Sequence, residues 1–272
     1  MTSTQAVSII KKLSGGKKCG HMGTLDPFAC GVLPIALGKA TKLFDYFISQ
    51  QKIYRAIFKF GIETDTLDLD GQITNTDNQK ISIEQINNIL PQFIGEISQL
   101  PPKFSAKRVN GKRAYDLARS GKEVELKPVL VNIYKISVQD LGNNEFIFDI
   151  HCSGGTYIRS ICRDIAHKLG TFGVMTCLIR QASGNFEISN AKTLQELEND
   201  FKIISCQEIL DNFEKCFIEN ERDYKLAING ANFKASTNSR KHNNLAFYYN
   251  NTLIGVGQKS RGDYYKLKVI LD

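Results

Sequence analysis

At 272 residues, with 42% hydrophobic residues and a formal net charge of +7, the chain can build one large domain and a small one around real apolar cores. It has no run of about 18 apolar residues, which excludes a membrane-spanning helix, and Met1-Thr2-Ser3-Thr4-Gln5 lacks the charged and apolar regions of a signal peptide. Its seven cysteines contain no Cys-x-x-Cys pair, so neither a zinc site nor a disulfide framework is indicated and a cytoplasmic protein with reduced thiols is expected.

In chain order, Ser3 or Thr4 caps a predicted helix with Val7, Ile10 and Leu13 on one stripe, and Gly15-Gly16 ends it. Lys17 and Lys18 lead into Gly20-His21-Met22-Gly23-Thr24-Leu25-Asp26-Pro27-Phe28-Ala29-Cys30-Gly31-Val32-Leu33-Pro34. Three glycines there permit backbone angles and close approaches that a side chain forbids. Asp26 is its one full negative charge. By itself Asp26-Pro27 reads as the opening of a turn or as a reactive carboxylate presented on a loop. In a chain with an excess of positive charge, the second reading points to chemistry on an anionic polymer.

Leu43, Phe44, Tyr46, Phe47 and Ile48 predict a short apolar helix. Residues 53–60 alternate as a strand, with Tyr54, Ala56, Phe58 and Phe60 on one face and Arg55 and Lys59 on the other. The strand stops at Gly61 and runs into Glu63-Thr64-Asp65-Thr66-Leu67-Asp68-Leu69-Asp70-Gly71. Counted from Thr66, a calcium loop would find Asp68, Asp70 and Gly71 in place, but it begins on Thr and ends on Asp77 rather than Glu. This segment therefore reads as a solvated turn or as an acid partner for nearby arginines.

Ser82 and Gln85 form a predicted capping box for a helix bearing Ile83, Ile86, Leu90 and Phe93, which Pro91 kinks or shortens. Residues 101–122 are polar and basic, with Lys103, Lys107, Arg108, Lys112, Arg113, Arg119 and Lys122. Tyr115, Leu117 and Ala118 predict a short helix in this excursion from the core. Strands follow at 129–139 and 146–152, then a helix from Thr156 to Leu169 with Ile158, Ile161, Ile165 and Leu169 inward. A strand at 174–180 and two short helices at 193–199 and 205–213 close the large domain, residues 1–220. From Arg222 onward, short strands and glycine turns (Asn229-Gly230, Gly255, Gly257, Gly262) predict a small all-β domain of about 50 residues, 221–272.

Five of these stretches, in order, resemble the TruB-type tRNA pseudouridine synthases. They are the 20–34 loop, Lys52-Ile53-Tyr54-Arg55-Ala56, and Thr64-Asp65-Thr66-Leu67-Asp68-Leu69-Asp70-Gly71. The fourth runs from Pro101-Pro102-Lys103-Phe104-Ser105-Ala106 to Gly111-Lys112-Arg113-Ala114-Tyr115-Asp116-Leu117-Ala118-Arg119. The fifth is Cys152-Ser153-Gly154-Gly155-Thr156-Tyr157-Ile158-Arg159-Ser160-Ile161, trailed by Leu178-Ile179-Arg180. The likeness covers nearly all of residues 1–190. It implies an α/β (α+β) pseudouridine-synthase fold on a mixed, largely antiparallel sheet, with a PUA-like carboxy-terminal domain that contacts RNA.

The same resemblance implies an enzyme that isomerises uridine to pseudouridine at position 55 in the T loop of tRNA. Asp26 would be the nucleophile and Arg159 its cationic partner, with Tyr54 stacking on the base. His21 would act against the RNA near the flipped base, Asp68 would join an ionic network with the active-site arginines, and Leu178 and Arg180 would line the uracil pocket. Lys103, Lys107, Arg108, Lys112 and Arg113 would clamp RNA. Without the motif, Tyr54 and Leu178 read as strand core, Arg159 as a surface residue, His21 as a loop histidine and the basic stretch as a solvated loop. The resemblance implies no cofactor, no metal and no guide RNA, and a monomer. The nearest rival is a guide-RNA-dependent relative acting on ribosomal RNA; another is a non-catalytic RNA-binding or RNA-folding protein. The sequence departs from the family in three places. It begins inside the motif that usually follows a first strand and a Lys-Pro-x-Gly turn, so one strand and one lysine are expected to be missing. Met22 stands where Thr is common, and Val129-Leu130 where an arginine is often seen.

Overall fold

The computed structural model describes residues 1–105, 108–109, 112–113, 126–237 and 244–272. The chain divides into two compact units, one of Met1–Ala6, His21–Pro34 and Tyr46–Ala191, the other of Val7–Gly20, Ile35–Asp45 and Lys192–Asp272.

The first unit is built on a seven-stranded sheet. Its strands are β1 (Cys30–Gly31), β2 (Lys52–Phe60), β3 (Gly95–Gln99), β4 (Val129–Gly142), β5 (Glu145–Cys152), β6 (Gly173–Ser183) and β7 (Phe186–Glu187). They run in the order β7-β6-β2-β5-β4-β3, with β1 added to β6. Every pairing is antiparallel except β1 with β6. The mixed, largely antiparallel sheet expected from the sequence is therefore present. Sequence alternation decides its faces. Tyr54, Ala56, Phe58 and Phe60 of β2 are buried, as are Phe146, Phe148 and Ile150 of β5, while Arg55 is exposed. Phe58 and Phe148 stack with ring centroids 4.4 Å apart, which adds about 0.5–1.5 kcal/mol to the burial of the two rings. On the exposed face Arg55 and Asp149 pair in a fork at 2.8 Å.

Helices close the buried face. Among the described residues the helices are α1 (Ser3–Leu13), α2 (Phe44–Ile48), α3 (Ile83–Ile89), α4 (Ile158–Lys168), α5 (Leu194–Asn199), α6 (Cys206–Ile209) and α7 (Glu221–Ile228). Ile86 of α3 and Ile158, Ile161 and Ile165 of α4 join one core with the inward residues of β2, β4 and β5. The Ser82–Gln85 capping box is formed, and α3 gives way to a 3-10 turn at Leu90, with Pro91 at its start. The cap of α1 differs from expectation. It is Thr2, whose hydroxyl accepts from the Gln5 amide while Gln5 Oε1 accepts from the Thr2 amide. Ser3 is buried and its hydroxyl is used elsewhere.

The second unit carries a five-stranded sheet of β8 (Glu214–Phe217), β9 (Phe233–Lys234), β10 (Leu245–Tyr249), β11 (Thr252–Lys259) and β12 (Tyr264–Ile270), ordered β8-β10-β11-β12-β9. Phe233, Phe247 and Tyr265 lie at its apolar centre. Here the strand pattern expected from Arg222 onward begins later, because Asn220 caps a helix. Its side chain accepts from the Asp223 amide, and acids at Glu221 and Asp223 suit the first turn of α7. The predicted helix at 205–213 is confined to Cys206–Ile209. The helix expected at Tyr115, Leu117 and Ala118 lies outside the described residues. Nearby, Arg108–Val109 and Lys112–Arg113 form a short antiparallel pair.

Candidate active site

The glycine loop is fastened to the sheet at one point. β1 lies parallel to β6 with Gly31 opposite Arg180. A Cβ on Gly31 would stand 2.3 Å from the Arg180 carbonyl oxygen, and its φ is +101°. Both the close approach and the backbone angle demand glycine. The Val32 amide donates to that same carbonyl at 2.9 Å. Farther up the loop, the Ser3 hydroxyl donates to the Leu25 carbonyl and accepts from the Leu25 amide, each at 3.0 Å. Asp26 follows directly, and the Ala29 amide closes a turn onto its carbonyl at 3.0 Å. The turn read from Asp26-Pro27 is therefore formed.

Arg159, one residue into α4, reaches Asp26 with a two-point fork. Nε stands 3.0 Å from one carboxylate oxygen and the Nη2 group donates to the other at 3.0 Å. Nη1 lies 3.1 Å from an Asp68 oxygen and donates to the Thr66 carbonyl at 3.0 Å, and Nη2 also donates to the Phe104 carbonyl at 3.1 Å. These contacts match the full set of N–H donors on a guanidinium. They are what makes a buried arginine tolerable, since an unpaired buried charge is strongly destabilising. The arginine and Asp68 side chains are 7% and 6% exposed, whereas that of Asp26 is 29% exposed. The carboxylate is therefore gripped from behind and open in front.

The partners of Arg159 are themselves fixed. Buried Gln99, at the end of β3, donates to the Tyr157 carbonyl at 3.1 Å and accepts from the Tyr157 amide at 2.8 Å, seating the start of α4. Ser160 donates to the Leu100 carbonyl at 2.8 Å. Asp68 accepts from the Thr66 hydroxyl at 2.6 Å and from the Asp70 amide at 3.1 Å. Burial, the largest influence on it, raises the Asp68 pKa above the usual carboxylate value, against the Thr66 bond and the Arg159 charge. The adjoining Leu67 is buried in the left-handed region at φ 64°, a conformation that costs a side-chain-bearing residue about 1–3 kcal/mol. The Met175 amide holds it there by donating to the Leu67 carbonyl at 3.1 Å. The acidic segment is therefore an arginine partner. Among the described residues no group of three or more His, Cys, Asp or Glu side chains is arranged to hold a metal ion.

Tyr54 is directly opposite Arg180 across β2 and β6, and Leu178 lies two residues before Arg180 on the same face. Burial pushes the Tyr54 phenol up to about 12, with Arg180 opposing. The phenol therefore stays neutral through the physiological range, and Tyr54 and Leu178 both belong to the buried core cluster. His21 is half-buried at the end of the Cys19–His21 strand, where the loop begins. Lys103 is exposed, and Arg108, Lys112 and Arg113 sit in the short strand pair; Lys107 lies outside the described residues. Sequence reasoning passed over Thr66, Gln99, Phe104 and Tyr157. Burial raises the Tyr157 phenol, and the charges of Arg159 and Asp26 are close enough to act on it. Its place beside Arg159 in the 152–161 stretch was the available signal; the Phe104 contribution is a backbone carbonyl and leaves none.

A half-open carboxylate backed by a buried cation, beside a neutral aromatic ring, can act as a nucleophile toward a planar base and its sugar. Comparisons with known proteins give the family. Residues 11–158 match the TruB family pseudouridylate synthase (N terminal domain), and residues 159–213 match the tRNA pseudouridylate synthase B C-terminal domain. The tRNA pseudouridine synthase B of Clostridium tetani is 40% identical over 278 residues, covering 100% of this chain and 96% of the relative. That of Clostridium perfringens is 38% identical over 282 residues, with the same coverage. Among solved structures, an H/ACA RNP bound to a substrate RNA containing 2'-deoxyuridine has a TM-score of 0.71 at 21% identity, covering 100% of this chain and 82% of the other. A Cbf5-Nop10-Gar1 complex has a TM-score of 0.73 at 22% identity, covering 99% and 81%; at these identities the likeness is one of fold. With the glycine loop, its carboxylate and the sheet that holds them all inside the matched span, the chain belongs to the TruB family of pseudouridylate synthases, enzymes that isomerise uridine.

Proposed function

We infer that this chain isomerises uridine to pseudouridine in tRNA, at position 55 of the T loop, acting alone with Asp26 as nucleophile on a flipped-out uridine. The observation that carries the reading is the Asp26 carboxylate, held by the Arg159 fork at 3.0 Å and still partly exposed. The two-point fork fixes the orientation of the carboxylate, and the side chain stays 29% exposed. Its attack on a carbon of the sugar or the base forms a covalent adduct through which the N1–C1′ bond breaks without oxidation or reduction. The uracil turns and a C5–C1′ bond forms; the bond to Asp26 breaks to return the carboxylate, the C5 proton leaves and N1 takes up a proton. Tyr54 and Leu178 supply the surfaces on which the base turns, and Tyr157 walls the same cleft. His21 lies at the loop entrance, where it can fill the stack that the extruded base vacates.

Residues 101–122 serve as the RNA clamp, through Lys103, Lys107, Arg108, Lys112 and Arg113, and residues 221–272 as a PUA-like RNA-binding domain. Identity of about 40% to tRNA pseudouridine synthase B along the full chain supports a free tRNA substrate over a guided one, because the likeness to the H/ACA structures is of fold alone. Tritium release from C5-labelled uridine in a T-arm stem-loop tests the reading. The chain is expected to release tritium and Asp26→Asn to bind the RNA without release. Equal release by both proteins would remove Asp26 from the chemistry, and release only in the presence of a guide RNA would remove the stand-alone substrate.

A further inference from the structure

Arg180 is 1% exposed and heads the fully buried side chains by volume. Its donors turn toward the glycine loop. Nε donates to the Val32 carbonyl at 2.7 Å, Nη1 to the Thr24 carbonyl at 3.1 Å and Nη2 to the Gly23 carbonyl at 3.2 Å. Its own main-chain carbonyl accepts from the Val32 amide at 2.9 Å. Tyr54 stands directly opposite Arg180 on the neighbouring strand, near enough for the guanidinium to act on its phenol. One side chain therefore grips the loop on both sides of Asp26 from the strand position that faces Tyr54.

Resting on the assignment of Asp26 as nucleophile, we propose that Arg180 is a positioning residue that sets the distance between the Asp26 loop and Tyr54, and that it makes no contact with RNA. A guanidinium 1% exposed, with Nε, Nη1 and Nη2 each donating to a loop carbonyl, can reach a base only by leaving that seat. The geometry also explains why an arginine is needed. The carbonyls of Gly23 and Thr24 lie on one limb of the loop and that of Val32 on the other, and a rigid planar fork spans them where a lysine ammonium, a single point, cannot. The loop has other ties: the Met22 amide donates to the Pro34 carbonyl at 2.8 Å, Phe28 and Ala29 pack against the core, and Ser3 holds Leu25. Arg180 is the side chain that bonds the Gly23 and Thr24 carbonyls on one limb and the Val32 carbonyl on the other. A displacement of the nucleophile by about 1 Å is enough to cost about a hundredfold in rate.

The experiment compares the full chain with Arg180→Lys on an unmodified tRNA transcript, measuring the single-turnover rate, the tRNA dissociation constant and amide exchange by segment. The expected result is a rate lower by about a hundredfold with binding changed by less than about threefold. Exchange should rise at least about tenfold in residues 23–32 while 54–60 stays protected. Gly31→Ala, which forces the loop off the Arg180 backbone and leaves the guanidinium intact, is expected to give the same signature. It serves as the second variant should the lysine protein not fold. Binding that weakens in step with the rate would place Arg180 on the RNA and overturn the proposal, as would unchanged exchange in 23–32. A wild-type chain that leaves uridine unmodified would instead overturn the assigned activity, and the exchange comparison would still test the clamp.

Discussion

Arg159 joins Asp26 and Asp68 through one guanidinium, at 3.0 Å and 3.1 Å, from a helix that begins more than 80 residues after either of them. It touches both oxygens of Asp26 but a single oxygen of Asp68, so the fork fixes the Asp26 carboxylate while Asp68 and the Thr66 and Phe104 carbonyls hold the guanidinium from behind. Arg159→Lys keeps the charge and loses the fork. The variant is expected to bind tRNA as the wild type does and to convert it at least about a hundredfold more slowly. Single-turnover conversion alongside filter binding checks this; equal losses in both would mean that Arg159 holds RNA rather than Asp26.

Lys52 gives a prediction for pH. It is 4% exposed and donates to the Phe47 and Gln50 carbonyls at 3.1 Å and 2.8 Å. Burial first, and the neighbouring Arg180 second, lower its pKa from 10.5 to about 8. Between those two values the unfolded chain binds more protons than the folded one, so this residue makes stability rise with pH across that window, by up to about 1.4 kcal/mol per unit. Below about 8 it is protonated in both states and contributes no slope. Urea unfolding of wild type and Lys52→Met at several pH values should show a difference that grows between about 8 and 10.5 in favour of the wild type. A difference that stays constant would show Lys52 to be solvated.

The capping box of α3 lies far in sequence from the glycine loop and can be tested by stability alone. Ser82→Ala removes the acceptor for the Gln85 amide and should cost about 1 kcal/mol. Thermal unfolding reads the loss, and tRNA conversion at a temperature where both proteins are folded should be unchanged.

The clamp assigned to residues 101–122 predicts a salt effect. Each of Lys103, Lys112 and Arg113, changed to Ala, should reduce the slope of log K against log salt by roughly 0.7–0.9 for each phosphate that its side chain neutralises. The single-turnover rate at saturating tRNA should hold. Dissociation constants measured across a salt series decide it, and an unaltered slope would make these residues ordinary solvated charges.

The parts of this protein legible in the sequence are those encoded by near neighbours. Alternation through Tyr54, Ala56, Phe58 and Phe60 identifies a half-buried strand, and that strand is β2, buried on that face. The Ser82–Gln85 spacing identifies a cap that forms as read. The first cap is ambiguous in sequence because Thr2, Ser3 and Thr4 all carry the right hydroxyl; only Thr2 stands three residues before Gln5, and Ser3 is taken by Leu25. Helix α7 escapes notice because its apolar stripe, Tyr224, Ala227 and Ile228, is one turn long and is followed at once by the Asn229-Gly230 turn.

The sequence by itself determined the loop that presents Asp26, the aromatic strand opposite it and the family to which both belong, because motifs and periodicities are local and survive without a fold. The resemblance implied the pairing of Arg159 with Asp26, but only the tertiary structure showed how each arginine is held. Nothing near Arg159 or Arg180 in the chain separates a surface charge from a buried one. Asp26 lies 133 residues from the first, and the Gly23 carbonyl 157 residues from the second. Only when the sheet brings these separations to hydrogen-bonding distance does each guanidinium find enough acceptors to stay buried, and that requirement fixes one on the carboxylate and the other on the loop that carries it.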